Sequence, residues 1–194
     1  SPAEPESMVW EFESSIRALE VTGEQGVWWA GANGLVGHSL DGGASWQVDT
    51  LRLSDGSLPA FRSIAVTNDA AFVLTIASPA VLFRRDLDRA IWDSVYVNHN
   101  PAVFFDSMVF WDDQEGLAMG DATAECLSVL ITRDGGRQWN LLDCSELPGV
   151  ATAASGQKEA AFAASNGNLV VQDDEVWMAS GGAASRIFHS SDRG

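Results

Sequence analysis

Apolar residues along this chain come in runs of four to seven, each closed by Gly, Asn or Asp, and none repeats at a helical spacing. Such runs predict strands joined by tight turns. Val27-Trp28-Trp29-Ala30-Gly31, Ala71-Phe72-Val73-Leu74 and Val176-Trp177-Met178-Ala179-Ser180 stand 14, 15 and 16 residues before Asp41, Asp86 and Asp192, respectively. Earlier in their units come Ser15-Ile16-Arg17-Ala18-Leu19, Ala60-Phe61-Arg62-Ser63-Ile64 and Phe104-Phe105-Asp106-Ser107-Met108, which read as the first and innermost strand of each unit. The expected organisation is a series of four-stranded antiparallel meanders over 14–50, 58–97, 102–145 and an incomplete 150–194.

The turns repeat as well. Ser39-Leu40-Asp41-Gly42-Gly43-Ala44-Ser45-Trp46 is followed by Thr132-Arg133-Asp134-Gly135-Gly136-Arg137-Gln138-Trp139 and by the shorter Ser190-Ser191-Asp192-Arg193-Gly194. In this S/T-x-D-x-G-x-x-W pattern the aspartate caps backbone N–H groups, the glycine supplies positive φ, and the tryptophan covers the hairpin from the returning strand. A degenerate copy, Arg85-Asp86-Leu87-Asp88-Arg89-Ala90-Ile91-Trp92, lacks the glycine and displaces the tryptophan by one residue. Asp41, Asp86, Asp134 and Asp192 are 45, 48 and 58 residues apart, the period of a propeller blade or slightly above it. The fold class expected is therefore an all-β propeller of about four blades.

The first residues, 1–7, read as a polar tail, such as begins a mature exported protein after removal of its signal peptide. Val9-Trp10-Glu11-Phe12-Glu13 resembles the returning strands Trp46-Gln47-Val48 and Trp139-Asn140-Leu141, so 8–13 is expected to be a clasp strand. Either that strand closes a four-blade ring, or the chain is the N-terminal part of a larger propeller. The second is the expectation.

Charge narrows the partners. With 11 Lys and Arg against 27 Asp and Glu the net charge is −16, which argues against nucleic acid or an anionic membrane surface as ligand. No apolar run is long enough to span a membrane. Cys126 and Cys144 have no zinc-ligand spacing. If Thr132 pairs with Trp139, paired numbers sum to 271, and the two cysteines sum to 270, a placement that admits a disulfide. The other reading is two buried thiols.

With these residues in view, the sequence resembles the Asp-box, or bacterial neuraminidase repeat, propellers, a group that includes sialidases, sortilin-type receptor domains and the photosystem II assembly-factor propellers. Phe61-Arg62-Ser63-Ile64, Phe110-Trp111-Asp112-Asp113-Gln114-Glu115-Gly116-Leu117-Ala118 and Ala161-Phe162-Ala163-Ala164-Ser165-Asn166-Gly167 resemble exported bacterial proteins of the assembly-factor type. The resemblance implies six or seven blades and assigns Ser39, Asp41, Gly43, Trp46, Thr132, Asp134, Gly136, Trp139, Ser190, Asp192 and Gly194 to structural Asp-boxes. It does not assign an activity, because propellers host enzymes, receptors and scaffolds alike.

A sialidase-like hydrolase would need an arginine cluster, an acid/base carboxyl and a tyrosine nucleophile. The one tyrosine, Tyr96, is expected on an outer strand. Arg17, Arg62 and Asp106 occupy equivalent positions on innermost strands, where side chains reach the channel mouth, and are the candidate ligand-binding residues. His38 and His189 share a repeat position and do not suggest a triad. Asp112-Asp113-Gln114-Glu115 and Asp173-Asp174-Glu175 lack the alternating spacing of a calcium loop. Trp29 and Trp111 are the tryptophans left without a repeat role and could stack on a sugar. No catalytic set, metal or cofactor is expected. The reading is a non-enzymatic exported scaffold for a protein or peptide partner, with a glycan-acting hydrolase as the alternative.

Overall fold

The computed structural model describes residues 7–161 and 166–194. Blade one is β1 (Ile16–Thr22), β2 (Gly26–Gly31), β3 (Leu35–Ser39) and β4 (Gln47–Thr50), paired in that order. Blade two is β5 (Phe61–Val66), β6 (Ala70–Thr75), β7 (Ala80–Asp86) and β8 (Ile91–Asn98). Blade three is β9 (Phe105–Phe110), β10 (Gly116–Gly120), β11 (Ser128–Thr132) and β12 (Asn140–Leu141). The fourth unit contains β13 (Glu159–Ala160), β14 (Leu169–Gln172), β15 (Glu175–Ala179), β16 (Gly181–Gly182) and β17 (Ile187–Ser190), with β14-β15-β17 as one sheet and β13-β16 as a short second pair. Every pairing is antiparallel. Two 3-10 turns, Cys144–Glu146 and Asn166–Asn168, are the helical segments among the described residues.

The core lies between blades. Successive side chains on a strand point to opposite faces, so a central strand can serve two junctions. In β6, Ala71 and Val73 pack toward blade one with Trp28, Val36, Phe61 and Phe83, whereas Phe72 and Leu74 pack toward blade three with Phe105, Met108, Leu130 and Trp139. Leu117, Met119 and Val129 meet Leu169, Val176, Met178 and Phe188 at the third junction. Burial of each large side chain contributes about 1.5–3 kcal/mol. The innermost strands stand side by side, β1 against β5, β5 against β9 and β9 against β14.

Residues 7–12 form no strand, which corrects the expected clasp over 8–13. Phe12 instead packs on Trp29, with ring centroids 4.5 Å apart, and meets Trp46 edge-on at 5.5 Å. The physical reason is Gly37, opposite Trp29 in the β2-β3 ladder: without a side chain it lets the indole lie flat across the sheet, where Phe12 covers it. Residues 1–6 of the polar tail, and Phe162–Ser165 of the assembly-factor-like phrase, lie outside the described residues.

Candidate binding face

The three candidate ligand-binding residues share one backbone feature. In β1 the register steps from Ile16↔Gly31 to Ala18↔Ala30, which leaves Arg17 as the extra residue of a bulge. The step from Phe61↔Thr75 to Ser63↔Leu74 does the same for Arg62, and that from Phe105↔Gly120 to Ser107↔Met119 does so for Asp106. A bulge re-aims the extra side chain out of the pleat. The three therefore fall on adjacent inner strands at the same level, next to the ends of β2, β6 and β10. Counting back from the cross-strand rows Glu20↔Trp28, Val109↔Leu117 and Val170↔Trp177, the fourth unit has Gly167 there.

Their surroundings differ. Arg17 is exposed, and its Nε donates to Ser15 Oγ at 3.1 Å. Arg62 is half-buried, its Cζ 5.5 Å from the Phe104 ring centroid. Asp106 is 1% exposed. Its neighbour Ser107 donates to Asn168 Oδ1 at 2.6 Å, and Asn168 Nδ2 donates to the Ala161 carbonyl at 2.8 Å, tying the third inner strand to the fourth unit.

The rim beside this row is braced. A disulfide joins Cys126 to Cys144, with Cα atoms 5.4 Å apart. The β11-β12 ladder runs Leu130↔Leu141 and Ile131↔Asn140, but β12 ends there, so Cys144 comes from the 3-10 turn beyond the ladder. Glu159, which sequence reasoning missed, is a buried carboxylate. It accepts from Ala151 N at 2.9 Å, from Arg186 Nε at 2.9 Å and from Ser180 Oγ. The Arg186 guanidinium first, then the Ala151 and Ser180 donors, outweigh burial and hold its pKa at about 2. An acid three residues after Gly156, in a polar stretch, gave no sign of this role.

The opposite face carries the capped turns, and their bonding repeats. Ser39 Oγ donates to Asp41 Oδ1 at 2.7 Å and accepts from Gly43 N at 2.8 Å. Thr132 Oγ1 donates to Asp134 Oδ1 at 3.0 Å and accepts from Gly136 N at 3.0 Å, and Trp139 Nε1 donates to the Gly136 carbonyl at 3.2 Å. Ser190 Oγ donates to Asp192 Oδ1 at 2.5 Å and accepts from Gly194 N at 3.0 Å. In the degenerate turn Asp86 Oδ1 accepts from Arg89 N at 2.9 Å. Trp46, half-buried, is held against Phe12.

The acidic turns that were weighed as calcium loops are used differently. Arg193 Nη1 donates to Asp112 Oδ2 at 2.7 Å and its Nε to Asp174 Oδ1 at 2.7 Å, while Arg133 Nη1 donates to Glu115 Oε2 at 2.7 Å. Asp113 accepts from Asn68 N and Nδ2 at 2.8 and 2.9 Å. Trp29 is 1% exposed and so presents no indole to a sugar; this overturns that reading for Trp29. Trp111 is half-buried, its Nε1 donating to the Glu175 carbonyl at 3.2 Å. Tyr96 lies on the outermost strand β8, where its hydroxyl accepts from Asn98 Nδ2 at 3.0 Å, and burial raises its pKa. His38 and His189 stack on Trp28 and Trp177. No helix is long and apolar enough to cross a membrane among the described residues.

Meanders set side by side around a row of inner strands, with hydrophobic clusters only between neighbours, define a β-propeller arc. No protein-family model matches the chain, and no curated protein matches it. Among solved structures it is similar to YCF48 bound to a D1 peptide, with a TM-score of 0.55 and 16% identity, over 85% of this chain and 51% of that one. It is also similar to YCF48 from Cyanidioschyzon merolae, with a TM-score of 0.52 and 17% identity, over 85% and 53%. The chain spans about half the length of these neighbours, and at such identities the likeness is one of fold.

Proposed function

We propose that the chain is the N-terminal part of an exported six- or seven-bladed propeller of the Asp-box type. It acts as a scaffold without chemistry of its own and binds a protein or peptide partner over the face that carries Arg17 and Arg62, with Asp106, expected from the sequence as a third contact, buried in the same row. The observation that carries this reading is the bulge recurring at the same level of three inner strands, which turns one charged residue per blade out of the pleat. The likeness of the fold to YCF48 bound to a D1 peptide supports a peptide as occupant. The net charge of −16 favours a neutral or basic partner over an acidic one. The Cys126–Cys144 disulfide supports export, since such bonds persist in oxidising compartments.

The test is selection of peptides from a displayed random library on the wild-type chain, followed by fluorescence polarisation with the selected peptides. Arg17→Ala and Arg62→Ala should each weaken binding about tenfold, the worth of one charge-assisted hydrogen bond. Asp88→Ala, in an exposed turn of the opposite face, should leave it unchanged. Equal affinity for all three variants would move the site elsewhere. For export, thiol labelling of denatured, unreduced protein from its native source should find no free cysteine.

A further inference from the structure

Blades one and two enclose a pocket of about 330 Å³ at the level of the capped turns. Trp28, His38 and Arg85 are its buried residues, and Leu40, Val66 and Leu87 stand around them. All of its lining comes from these two four-stranded blades, so its walls are whole. It opens beside Leu40 and Leu87 of the β3-β4 and β7-β8 turns, on the face opposite the bulge row.

Its buried polar groups lack hydrogen bonds. Arg84 and Arg85 are both 8% exposed, yet they are held differently. Arg84 Nε donates to the Gly135 carbonyl at 2.9 Å. No N–H of Arg85 makes a hydrogen bond among the described residues. Its Nε stands 3.6 Å from Asp49 Oδ2, too long for one, and that oxygen already accepts from Trp92 Nε1 at 2.9 Å. The guanidinium lies over the Trp28 ring, its Cζ 5.7 Å from the centroid, and the His38 ring stacks on the same indole at 4.3 Å.

Arg85 Nε and His38 Nδ1 are sealed from solvent without a hydrogen bond. The atoms left to reach the pocket are the two terminal nitrogens of Arg85 and Nε2 of His38. Burial first, then Arg85, push His38 below its ordinary 6.5, so its ring is neutral and Nε2 can carry the hydrogen. A buried guanidinium whose donors are unmet is costly, and folded proteins meet such donors with a protein group, a water or a ligand.

We propose that this pocket binds a small monocarboxylic acid, whose carboxylate takes the terminal nitrogens of Arg85 as a fork and the Nε2–H of His38, and whose short apolar body lies among Leu40, Val66 and Leu87. The planar guanidinium matches two carboxylate oxygens. Asp49 beside it offsets part of its charge, which suits a single negative charge better than a phosphate or sulfate dianion. The volume is at the small end of ligand sites, which run to about 300–1,000 Å³. The net charge of −16 repels anions at a distance, but charges beyond about 8 Å are largely screened at physiological salt, so the local donors decide. The pocket and the bulge row lie on opposite faces, and either reading can fail alone.

The experiment titrates sodium benzoate into 15N-labelled protein and follows the backbone amides of Leu40, Val66 and Leu87, with those of Arg17 and Arg62 as reference. Benzamide, of nearly the same shape without the charge, sodium phosphate, and N-acetyl-glutamate methylamide, standing for a carboxylate on a protein segment, are the controls. Benzoate should give saturable shifts at the first three amides and none at the reference pair. It should bind about tenfold more tightly than benzamide, the effect of a charge-assisted hydrogen bond, and more tightly than the other two controls. Arg85→Gln should bring benzoate and benzamide to equal affinity, and His38→Phe should weaken benzoate about fivefold. Equal binding of benzoate and benzamide, or an unchanged benzoate affinity in Arg85→Gln, would overturn the proposal. So would phosphate or the glutamate amide binding as tightly as benzoate, or no shift from any compound, which would mean that water meets these donors. Should Arg85→Gln fail to fold, the benzoate-to-benzamide ratio and the His38→Phe variant decide the matter.

Discussion

Gly136→Ala separates two costs that the capped turns otherwise combine. Gly136 has φ +71, and an added Cβ would stand 2.2 Å from Cε1 and 2.7 Å from Cζ of Phe72. That ring is fully buried; it stacks on Phe110 at 4.5 Å and meets Trp139 edge-on at 6.3 Å, so it has little room to yield. Gly43 holds the same place in the blade-one turn with φ +90, but there the added Cβ would meet only Trp46, at 3.8 Å. Left-handed backbone costs an L residue about 1–2 kcal/mol at either site. Overpacking adds about 1–3 kcal/mol at Gly136 alone. Gly43→Ala should therefore lower stability by about 1–2 kcal/mol and Gly136→Ala by about 2–5 kcal/mol. The assay is urea unfolding, read as a shift of midpoint at constant slope. Phe72→Leu opens space beside the turn, so in the double variant the cost of Gly136→Ala should shrink by about 0.5–3 kcal/mol. Equal costs at the two glycines, or no coupling to Phe72, would refute the packing of the blade-three turn on blade two.

Other outcomes follow from the same reasoning. The Cys126–Cys144 bond closes a loop with a sequence separation of 18, so its reduction, or the Cys126→Ser/Cys144→Ser variant, should cost about 3 kcal/mol by urea midpoint. His38 is pushed below its ordinary 6.5, first by burial and then by Arg85. The unfolded chain then takes up the proton first, so stability is full above pH 6.5 and falls as the pH drops toward the lower folded value. His38→Phe, which keeps a ring on Trp28, should flatten the urea midpoint between about pH 7.5 and about pH 5. Asp41 accepts hydrogen bonds from the Ser45 hydroxyl, Ser45 N and Ser39, and these hold its carboxyl at about 2 against 3.8. Its contribution is present above 3.8 and lost as the pH falls toward 2, which a carboxyl-carbon NMR titration of Asp41 with parallel acid unfolding would follow.

The capped turns were legible because their geometry is enforced within a few residues. A hydroxyl, a carboxylate two positions on and a backbone N–H at the fourth position bond the same way at Ser39, Thr132 and Ser190, whatever lies around them. The equivalence of Arg17, Arg62 and Asp106 was legible from the repeat, but the bulges were not, because a register step depends on the partner strand and leaves no mark in the residue types. The clasp was misread for a related reason. Val9-Trp10-Glu11-Phe12-Glu13 has the alternation of a returning strand, yet Phe12 goes where Gly37 and Trp29 leave an apolar surface to cover. Trp28, His38, Trp177 and His189 were each seen at repeat positions. What escaped was that the positions oppose each other, which needs the pairing register as well as the period.

With every hydrophobic cluster confined to a pair of consecutive blades, the arc is energetically a chain of linked units, each stabilised by itself and by its two borders. Blade two has a neighbour on both sides, and a change in β6 reaches both borders at once. Arg17, Arg62 and Asp106 stand on three consecutive blades, so the borders between blades one and two and between blades two and three both run through the row. A partner spanning the row therefore bridges two borders at once and resists their separate opening.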